Sequence, residues 1–119
     1  LTPLQAQGPG LEFATVLPRR RNTVEITGYG VDTGSANQTQ QVSTGAITQA
    51  SSSTNIIKYK ADTEGGNSGS AVLVGGRIVA IHTNGGCTTS NRGANSGTMI
   101  GNTAFQAAYA AVCGAAVRR

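Results

Sequence analysis

Two short apolar segments joined by a pair of glycines constrain the fold of this chain more than any other feature. Segments 71–74 and 77–81 are apolar on both faces, and Gly75-Gly76 separates them. Adjacent glycines reach the positive φ angles that two-residue hairpin turns require. The sequence therefore predicts a buried β-hairpin in which Val74 lies directly opposite Arg77.

The remainder of the chain also favours β-structure. Among its 119 residues are 17 glycines and no tryptophan, and serine, threonine and asparagine are frequent, a composition typical of many short strands and turns. Further strands are predicted at 23–27, 40–48, 55–60 and 97–101. In segment 55–60, the apolar Ile57 and Tyr59 share one face, and Lys58 and Lys60 share the other.

The two ends of the chain are expected to differ from its middle. Residues 1–22 contain all three prolines and the run Arg19-Arg20-Arg21, and we interpret them as a linker with one short strand at 12–17. Residues 23–119 are predicted to form one domain. Within it, Asn102 resembles a helix N-cap and Gly114 a helix stop, which predicts a helix over about 103–112.

Several classes of partner are disfavoured by the sequence. The net charge is +4, but the arginine run lacks the interleaved aromatics or the amphipathic helix of a nucleic-acid or membrane surface. No apolar stretch reaches the length of a membrane span. No signal peptide is visible, so we expect the chain to be mature or incomplete. We expect neither a metal nor another cofactor.

A serine stands between glycines immediately before the predicted hairpin, in Gly65-Gly66-Asn67-Ser68-Gly69-Ser70. Glycines permit positive φ and let a substrate carbonyl approach main-chain amides. The pattern predicts that Ser68 is a nucleophile on an exposed turn, and that Gly66, Asn67 and Ser68 form an oxyanion hole. The alternative is an ordinary loop, because the same residue types dominate turns.

These residues resemble the chymotrypsin-like serine proteases, whose signature is Gly-Asp-Ser-Gly-Gly. A second block, Ile-Val-Ala-Ile-His-Thr-Asn-Gly-Gly-Cys at 78–87, resembles the family's strand that lines the specificity pocket. The form Gly-Asn-Ser-Gly-Ser is most similar to bacterial glutamyl endopeptidases and trypsin-like relatives. The resemblance covers residues 23–113. It implies an all-β fold, the second six-stranded antiparallel barrel of the two-barrel fold with its C-terminal helix.

The one histidine of the chain, His82, decides what catalysis is possible. Continuing the hairpin register places Ser70 opposite Ile81, Gly69 opposite His82, and Ser68 opposite Thr83. Directly opposed residues project to the same side, so His82 should point away from the Ser68 hydroxyl. The resemblance implies that His82 enters the substrate pocket. A core histidine with satisfied hydrogen bonds and a catalytic base are the alternatives.

The chain lacks the other groups that a serine nucleophile needs. A serine hydroxyl requires an oriented base, yet no histidine precedes Ser68, and Asp32 has no histidine near it in sequence. In the family, the base and its aspartate precede the serine and belong to the first barrel. We therefore predict the C-terminal half of a serine endopeptidase, inactive in isolation. The alternative is a catalytically inactive, protease-like domain that binds peptides.

Two residue sets compete to select the substrate. Asp62 stands six positions before Ser68, where trypsin-like relatives hold the aspartate that attracts a basic side chain. Thr63 and His82 resemble the pocket of glutamyl endopeptidases, which receives a carboxylate. Asp62 and His82 could also pair with each other. We expect a preference for acidic substrates.

A peptide or protein substrate is expected to add to the edge formed by Thr83, Asn84 and Gly85 as an antiparallel strand. In trypsin itself an aspartate precedes the nucleophile and pairs with a newly freed amino terminus. Asn67 replaces it here, so activation is expected to follow another route.

The chain has two cysteines, Cys87 and Cys113. An even count fits one disulfide in a secreted protein, and two reduced thiols are the alternative. In the family, a cysteine near the position of Cys87 bonds to one beside the nucleophile loop. Glu64 stands near that second place, so the usual bridge cannot form.

Overall fold

The computed structural model describes residues 2–8, 10–30, 34, 37, 39–63, 67–86 and 94–114. The strands are β1 (Thr23–Gly28), β2 (Gln41–Ser51), β3 (Ile56–Tyr59), β4 (Ala71–Val74), β5 (Arg77–Asn84) and β6 (Asn95–Met99), and the helices are α1 (Pro3–Gln7) and α2 (Thr103–Cys113). The strands close in the order β1-β2-β3-β6-β5-β4, and each pair is antiparallel. The predicted six-stranded antiparallel barrel with a C-terminal helix is therefore confirmed.

Alternating apolar side chains fill the barrel. In β1 Val24 and Ile26 point inward, and in β3 Ile57 and Tyr59 do so while Lys58 is exposed. This alternation follows from the two-residue period of a strand. Each large apolar side chain removed from water contributes about 1.5–3 kcal/mol, so the inward rows of the six strands supply the core that fixes the loops above it.

The hairpin forms as predicted at its turn and departs from prediction further along. Gly75 and Gly76 have φ angles of 58° and 80°, and Val74 pairs with Arg77. The register then shifts by one residue, because Val72 pairs with Ala80 rather than with Val79. Such a bulge bends a strand and increases its twist, which a closed barrel requires.

The bulge interrupts the alternation of buried and exposed residues in β5. Val79 and Ala80 are consecutive in β5, yet both are buried, whereas a regular strand would expose one of them. The predicted pairing of Ser70 with Ile81 is consequently wrong, since Ala71 occupies that place.

Two other strands differ from their predicted bounds. β2 extends to Ser51, beyond the expected end at 48, with its own register shift between Ile47 and Gln49. β6 begins at Asn95, two residues before the expected start. Both differences arise from pairing with a neighbouring strand, which extends regular structure into polar segments.

The N-terminal segment contains a helix that the linker interpretation missed. Thr2 caps α1 in a capping box with Gln5, and Pro3 occupies the first turn, two local signals for a helix start. The strand expected at 12–17 is reduced to one parallel bridge between Phe13 and Ile78. The division into a linker at 1–22 and a domain at 23–119 stays a prediction.

Helix α2 was predicted from its caps and is confirmed. Asn102 Oδ1 accepts a hydrogen bond from the Phe105 amide at 3.0 Å. Gly114 is left-handed, and its amide donates to Ala110 at 2.9 Å. Phe105 and Tyr109 pack on Phe13 with ring centroids 6.1 and 5.2 Å apart. Neither helix in the described part of the chain has the length and apolar character to cross a bilayer.

Candidate active site

Ser68 lies at the tip of a tight, exposed turn between β3 and β4. The Ser70 amide donates to the Asn67 carbonyl at 3.0 Å, which closes a four-residue turn. Gly69, its third residue, has a φ of 92°. A positive φ at this position defines a type II turn and favours glycine, because a Cβ would clash with the backbone. The glycine after Ser68 is thus a conformational requirement of the turn.

Hydrogen bonds attach this turn to the end of β5. The Gly69 amide donates to the His82 carbonyl at 2.8 Å, and the His82 amide donates to the Ser70 carbonyl at 2.9 Å. Two residues of the turn therefore bond to one residue of β5, which compensates for the bulge further down the hairpin. As a result Ser68 lies beside Thr83, and its Oγ donates to the Thr83 carbonyl at 3.4 Å.

The predicted oxyanion hole is described in part. Among the described residues, none accepts a hydrogen bond from the Ser68 amide. Asn67 is half-buried. Gly66 lies outside the described residues, so its amide stays a prediction.

Gly28, which the sequence did not mark as part of the site, contacts the Asn67 side chain. A Cβ placed on Gly28, the last residue of β1, would overlap Asn67 Oδ1 and lie 3.0 Å from Ser70 Oγ. The side chain of Asn67, the residue before Ser68, therefore rests directly on the β1 backbone. The sequence offered only an unexplained glycine at a strand end, which in general marks a close approach of other groups.

His82 is buried and does not contact Ser68. Its Nδ1 is hydrogen-bonded to the hydroxyl of Tyr59, and its Nε2 lies 3.2 Å from Thr63 Oγ1. Burial lowers the pKa of His82 below the ordinary value of 6.5, because desolvation disfavours the imidazolium. These contacts are those of the core-histidine alternative, and a role in the substrate pocket stays a prediction.

Asn95 connects this histidine to both neighbouring loops. Its Nδ2 donates to the Ala61 carbonyl at 2.6 Å and to Thr63 Oγ1 at 2.8 Å. Its Oδ1 accepts from the Gly86 amide at 2.8 Å. Asn95 is 1% exposed, and a partly buried chain of hydrogen bonds runs through it and Thr63 from Gly86 to Tyr59. Neither the contact of Tyr59 with His82 nor the role of Asn95 was predicted from the sequence.

The donor count limits the protonation states of the network. If the Tyr59 hydroxyl donates to Nδ1, then Nε2–H donates to Thr63, and the Thr63 hydroxyl hydrogen is left for another acceptor. In the other tautomer Nδ1–H donates to Tyr59, and the Thr63 hydroxyl donates to Nε2. In the first state, Thr63 can offer a donor to a bound ligand while His82 stays neutral.

Asp62 is separated from this network. It is exposed, and its side chain forms no described hydrogen bond or ion pair with His82. With Thr63, Asn67 and Val42 it lines a cavity of about 160 Å³ at the start of the Asn67–Ser70 turn. The described contacts thus join Thr63, and not Asp62, to the histidine.

The predicted substrate-binding edge is exposed. Thr83, Asn84 and Gly85 are exposed, and pairing between β4 and β5 ends at Ala71 and Ile81. Thr83 Oγ1 donates to the Ser96 carbonyl at 3.3 Å, which joins this end of β5 to β6. On its other side the end of β5 meets Ser68 through a side chain rather than through a strand.

The remaining predictions about ligating groups concern the cysteines and metals. Cys113 is a free, exposed thiol, so the predicted disulfide with Cys87 lacks support, and Cys87 lies outside the described residues. Within the described ranges no group of three metal-binding side chains occurs.

Comparison with solved structures finds the same fold in several proteases. The M. tuberculosis H37Rv protease Rv3671c, in an inactive form, superposes with a TM-score of 0.64 at 16% identity, over 88% of this chain and 55% of that chain. Kallikrein-related peptidase 10 gives 0.62 at 15% identity, over 88% and 56%. Tobacco etch virus protease complexed with product gives 0.53 at 24% identity, over 80% and 39%.

The fold is that of the chymotrypsin-like protease barrel. This chain spans about half the length of the Rv3671c and kallikrein-related peptidase 10 structures. No protein-family model matches the sequence, and no curated protein matches it. The finer resemblance to glutamyl endopeptidases has no support among these structures.

Proposed function

We propose that this chain is the C-terminal half of a serine endopeptidase in which Ser68 forms the acyl-enzyme. The observation that carries the proposal is the exposed Ser68 on a glycine-dependent turn that is hydrogen-bonded to the open end of β5. A nucleophile so placed reaches the carbonyl of a peptide that pairs with that edge.

The chemistry requires a proton acceptor from outside the chain. Ser68 Oγ would attack the peptide carbonyl and pass its proton to an external histidine, while the Ser68 amide donates to the developing oxyanion. The same proton would leave with the amine, and water would then hydrolyse the ester. His82 cannot be that base in its described position, since both ring nitrogens are engaged with Tyr59 and Thr63.

An N-terminal barrel is the proposed source of the base. Exposed apolar side chains lie near the nucleophile turn, with Tyr29 60% and Val42 61% exposed. Val42 lines the same cavity as Asn67. A second barrel seated on this side would cover these side chains and place its own groups over Ser68.

A preference for acidic substrates is the finer part of the proposal. Thr63 has a hydroxyl hydrogen to offer in one tautomer of the network, and a carboxylate is a strong acceptor for it. Exposed Asp62 would instead favour a basic side chain. Cleavage by the complete protein of reporter peptides that differ only in Glu, Gln or Arg tests this, and faster cleavage after Arg would contradict it.

Covalent labelling tests the proposal itself. A fluorophosphonate should label Ser68 in the complete protein, and Ser68→Ala should abolish the label. The isolated 119-residue chain should remain unlabelled, because it lacks the base. An unlabelled complete protein that still binds peptides would favour the second candidate, an inactive peptide-binding domain, for which the engaged His82 is the supporting observation.

A further inference from the structure

A row of polar side chains crosses the outer surface of the barrel at the end of β5. Lys58 on β3 is directly opposite Ser96 on β6, and Ser96 is directly opposite Asn84 on β5. Directly opposed residues project to the same side of a sheet. Lys58 and Asn84 are exposed, and Ser96 is half-buried. The row therefore lies on the solvent face, about 10 Å long across two strand spacings.

This row forms part of an open groove of about 510 Å³, lined by Ala94 and by Thr48, Lys58, Lys60, Asn84, Gly85 and Ser96. Two lysines contribute positive charge, and asparagine and serine contribute neutral donors. No acidic residue is among the described residues that line it. Its donors and charge fit a carboxylate, because ammonium and amide groups both donate to one.

The groove is continuous with the predicted substrate-binding edge, because Asn84 and Gly85 belong to both. Ser68 contacts the carbonyl of Thr83, so the scissile bond would lie beside Thr83. A substrate antiparallel to β5 runs from Gly85 towards Thr83. The residues over the groove would therefore precede the scissile bond, and a strand presents alternate side chains to one face.

We propose that this groove is a second specificity site that binds an acidic side chain on the amino-terminal side of the scissile bond. The carboxylate lies between Lys58 and Asn84, over Ser96, which is directly opposite both of them. The direction of the peptide rests on the proposed function, and the binding itself does not.

The expected effect is modest and sensitive to salt. An exposed ion pair changes affinity by about two- to fivefold. Because screening at 0.1 M salt acts over about 10 Å, raising the salt to 0.5 M should remove most of the gain. The gain should occur at alternate substrate positions, with glutamate at the intervening position binding no better than glutamine.

Titration of the isotope-labelled 119-residue chain with peptides, followed by NMR of its backbone amides, tests this site without any hydrolysis. The peptides are capped hexapeptides that carry one Glu, or Gln as control, two, three or four residues before the bond to be cleaved. We expect the amides of Lys58, Gly85 and Ser96 to shift, with the better Glu peptide binding two- to fivefold more tightly than its Gln partner.

Variants then assign the effect to the groove. Lys58→Gln should remove the difference between Glu and Gln peptides, and Lys58→Arg should retain most of it. Arg20→Gln makes the same change in net charge at an exposed position outside the groove, and it should leave the difference intact. Wild-type and Lys58→Gln chains should have the same midpoint of urea unfolding, since Lys58 is exposed.

Three outcomes would overturn the site: equal affinity for Glu and Gln peptides, no shift at millimolar peptide, or a difference that survives Lys58→Gln. Tighter binding of an oligodeoxythymidine than of the Glu peptide would assign the groove to nucleic acid instead. The two proposals can fail separately. If a fluorophosphonate labels Ser68 in the complete protein but the NMR titration shows no binding, only the groove is rejected. If the NMR titration shows binding but the fluorophosphonate does not label Ser68 in the complete protein, only the peptidase is rejected.

Discussion

Replacing Asn95 should destabilise the barrel far more than replacing an exposed asparagine. Asn95→Ala removes hydrogen bonds to Ala61, Thr63 and Gly86. The amide of exposed Gly86 and the hydroxyl of half-buried Thr63 can form hydrogen bonds with water instead, but the carbonyl of Ala61 cannot, because Ala61 is 0% exposed. A stranded buried carbonyl costs about 1–3 kcal/mol. With the lost packing of a fully buried side chain, we expect a loss of about 2–4 kcal/mol in the free energy of unfolding.

Asn95→Asp separates the hydrogen bonds from the packing. The carboxylate keeps the shape and accepts from Gly86, but it faces the Ala61 carbonyl without a donor. At pH 7 this variant should be at least as unstable as Asn95→Ala. Burial raises the pKa of such a carboxyl, and the protonated form can donate one hydrogen bond. Its deficit relative to wild type should therefore shrink as the pH falls towards 4.

Urea unfolding followed by far-ultraviolet circular dichroism at pH 7 and pH 4.5 measures both effects. Asn84→Ala is the matched control, since Asn84 is exposed on the neighbouring strand and should change stability by less than about 0.5 kcal/mol. Asn95→Ala within 0.5 kcal/mol of wild type, or an Asp variant whose deficit does not depend on pH, would refute the role assigned to the network.

Three further substitutions probe the site and its frame. Burial lowers the pKa of His82, so the native state binds its proton less readily than the unfolded state. The contribution of neutral His82 to the free energy of unfolding should be complete above pH 6.5. As the pH falls below 6.5, the free energy of unfolding should decrease, by at most about 1.4 kcal/mol per pH unit. Urea titrations should show this slope in wild type and lose it in His82→Gln; equal slopes would contradict it. Gly28→Ala should cost about 1–3 kcal/mol through overlap with Asn67, whereas Gly10→Ala, where an added Cβ meets nothing within 4 Å, should have little effect. Asn102→Ala should cost about 1 kcal/mol through loss of the α2 cap; Asn102→Asp should retain most of it, and equal losses in the two variants would refute the capping role.

The parts of the fold that the sequence predicted correctly are those determined by local rules. The hairpin turn required two positive φ angles, and Gly75-Gly76 supplies them. Helix α2 was bounded by Asn102 and Gly114, which satisfy the free amides and carbonyls of its ends. Helix α1 had equally local signals in Thr2, Pro3 and Gln5. The linker interpretation rests on the three prolines of the segment, but a proline in the first turn, as Pro3 is, is compatible with a helix.

The supporting residues of the candidate site could not be predicted from the sequence because their contacts are long-range. Tyr59 meets His82 across 23 residues, and Asn95 meets Ala61 across 34. Tyr59 was expected on an inward face, where an aromatic ring needs no further explanation. Asn95 lies in a polar segment just before the strand predicted at 97–101, and only the pairing of β6 with β3 turns it inward.

The separation of His82 from Ser68 depends on two irregularities that act in opposite directions. The bulge beside Val79 shifts β5 by one residue against β4, and the double bonding of Gly69 and Ser70 to His82 shifts it back. Without the second irregularity, the register of Ala71 with Ile81 would continue into the turn, and Ser68 would lie opposite Asn84 instead of Thr83. Because a one-residue slip exchanges the two faces of a strand, the positions of Ser68 and His82 are coupled through the turn. Gly69 is the residue that permits this turn, since its φ of 92° is disfavoured for any other side chain. The same backbone geometry that presents the Ser68 hydroxyl on the exposed turn thus commits the His82 side chain to the interior of the barrel.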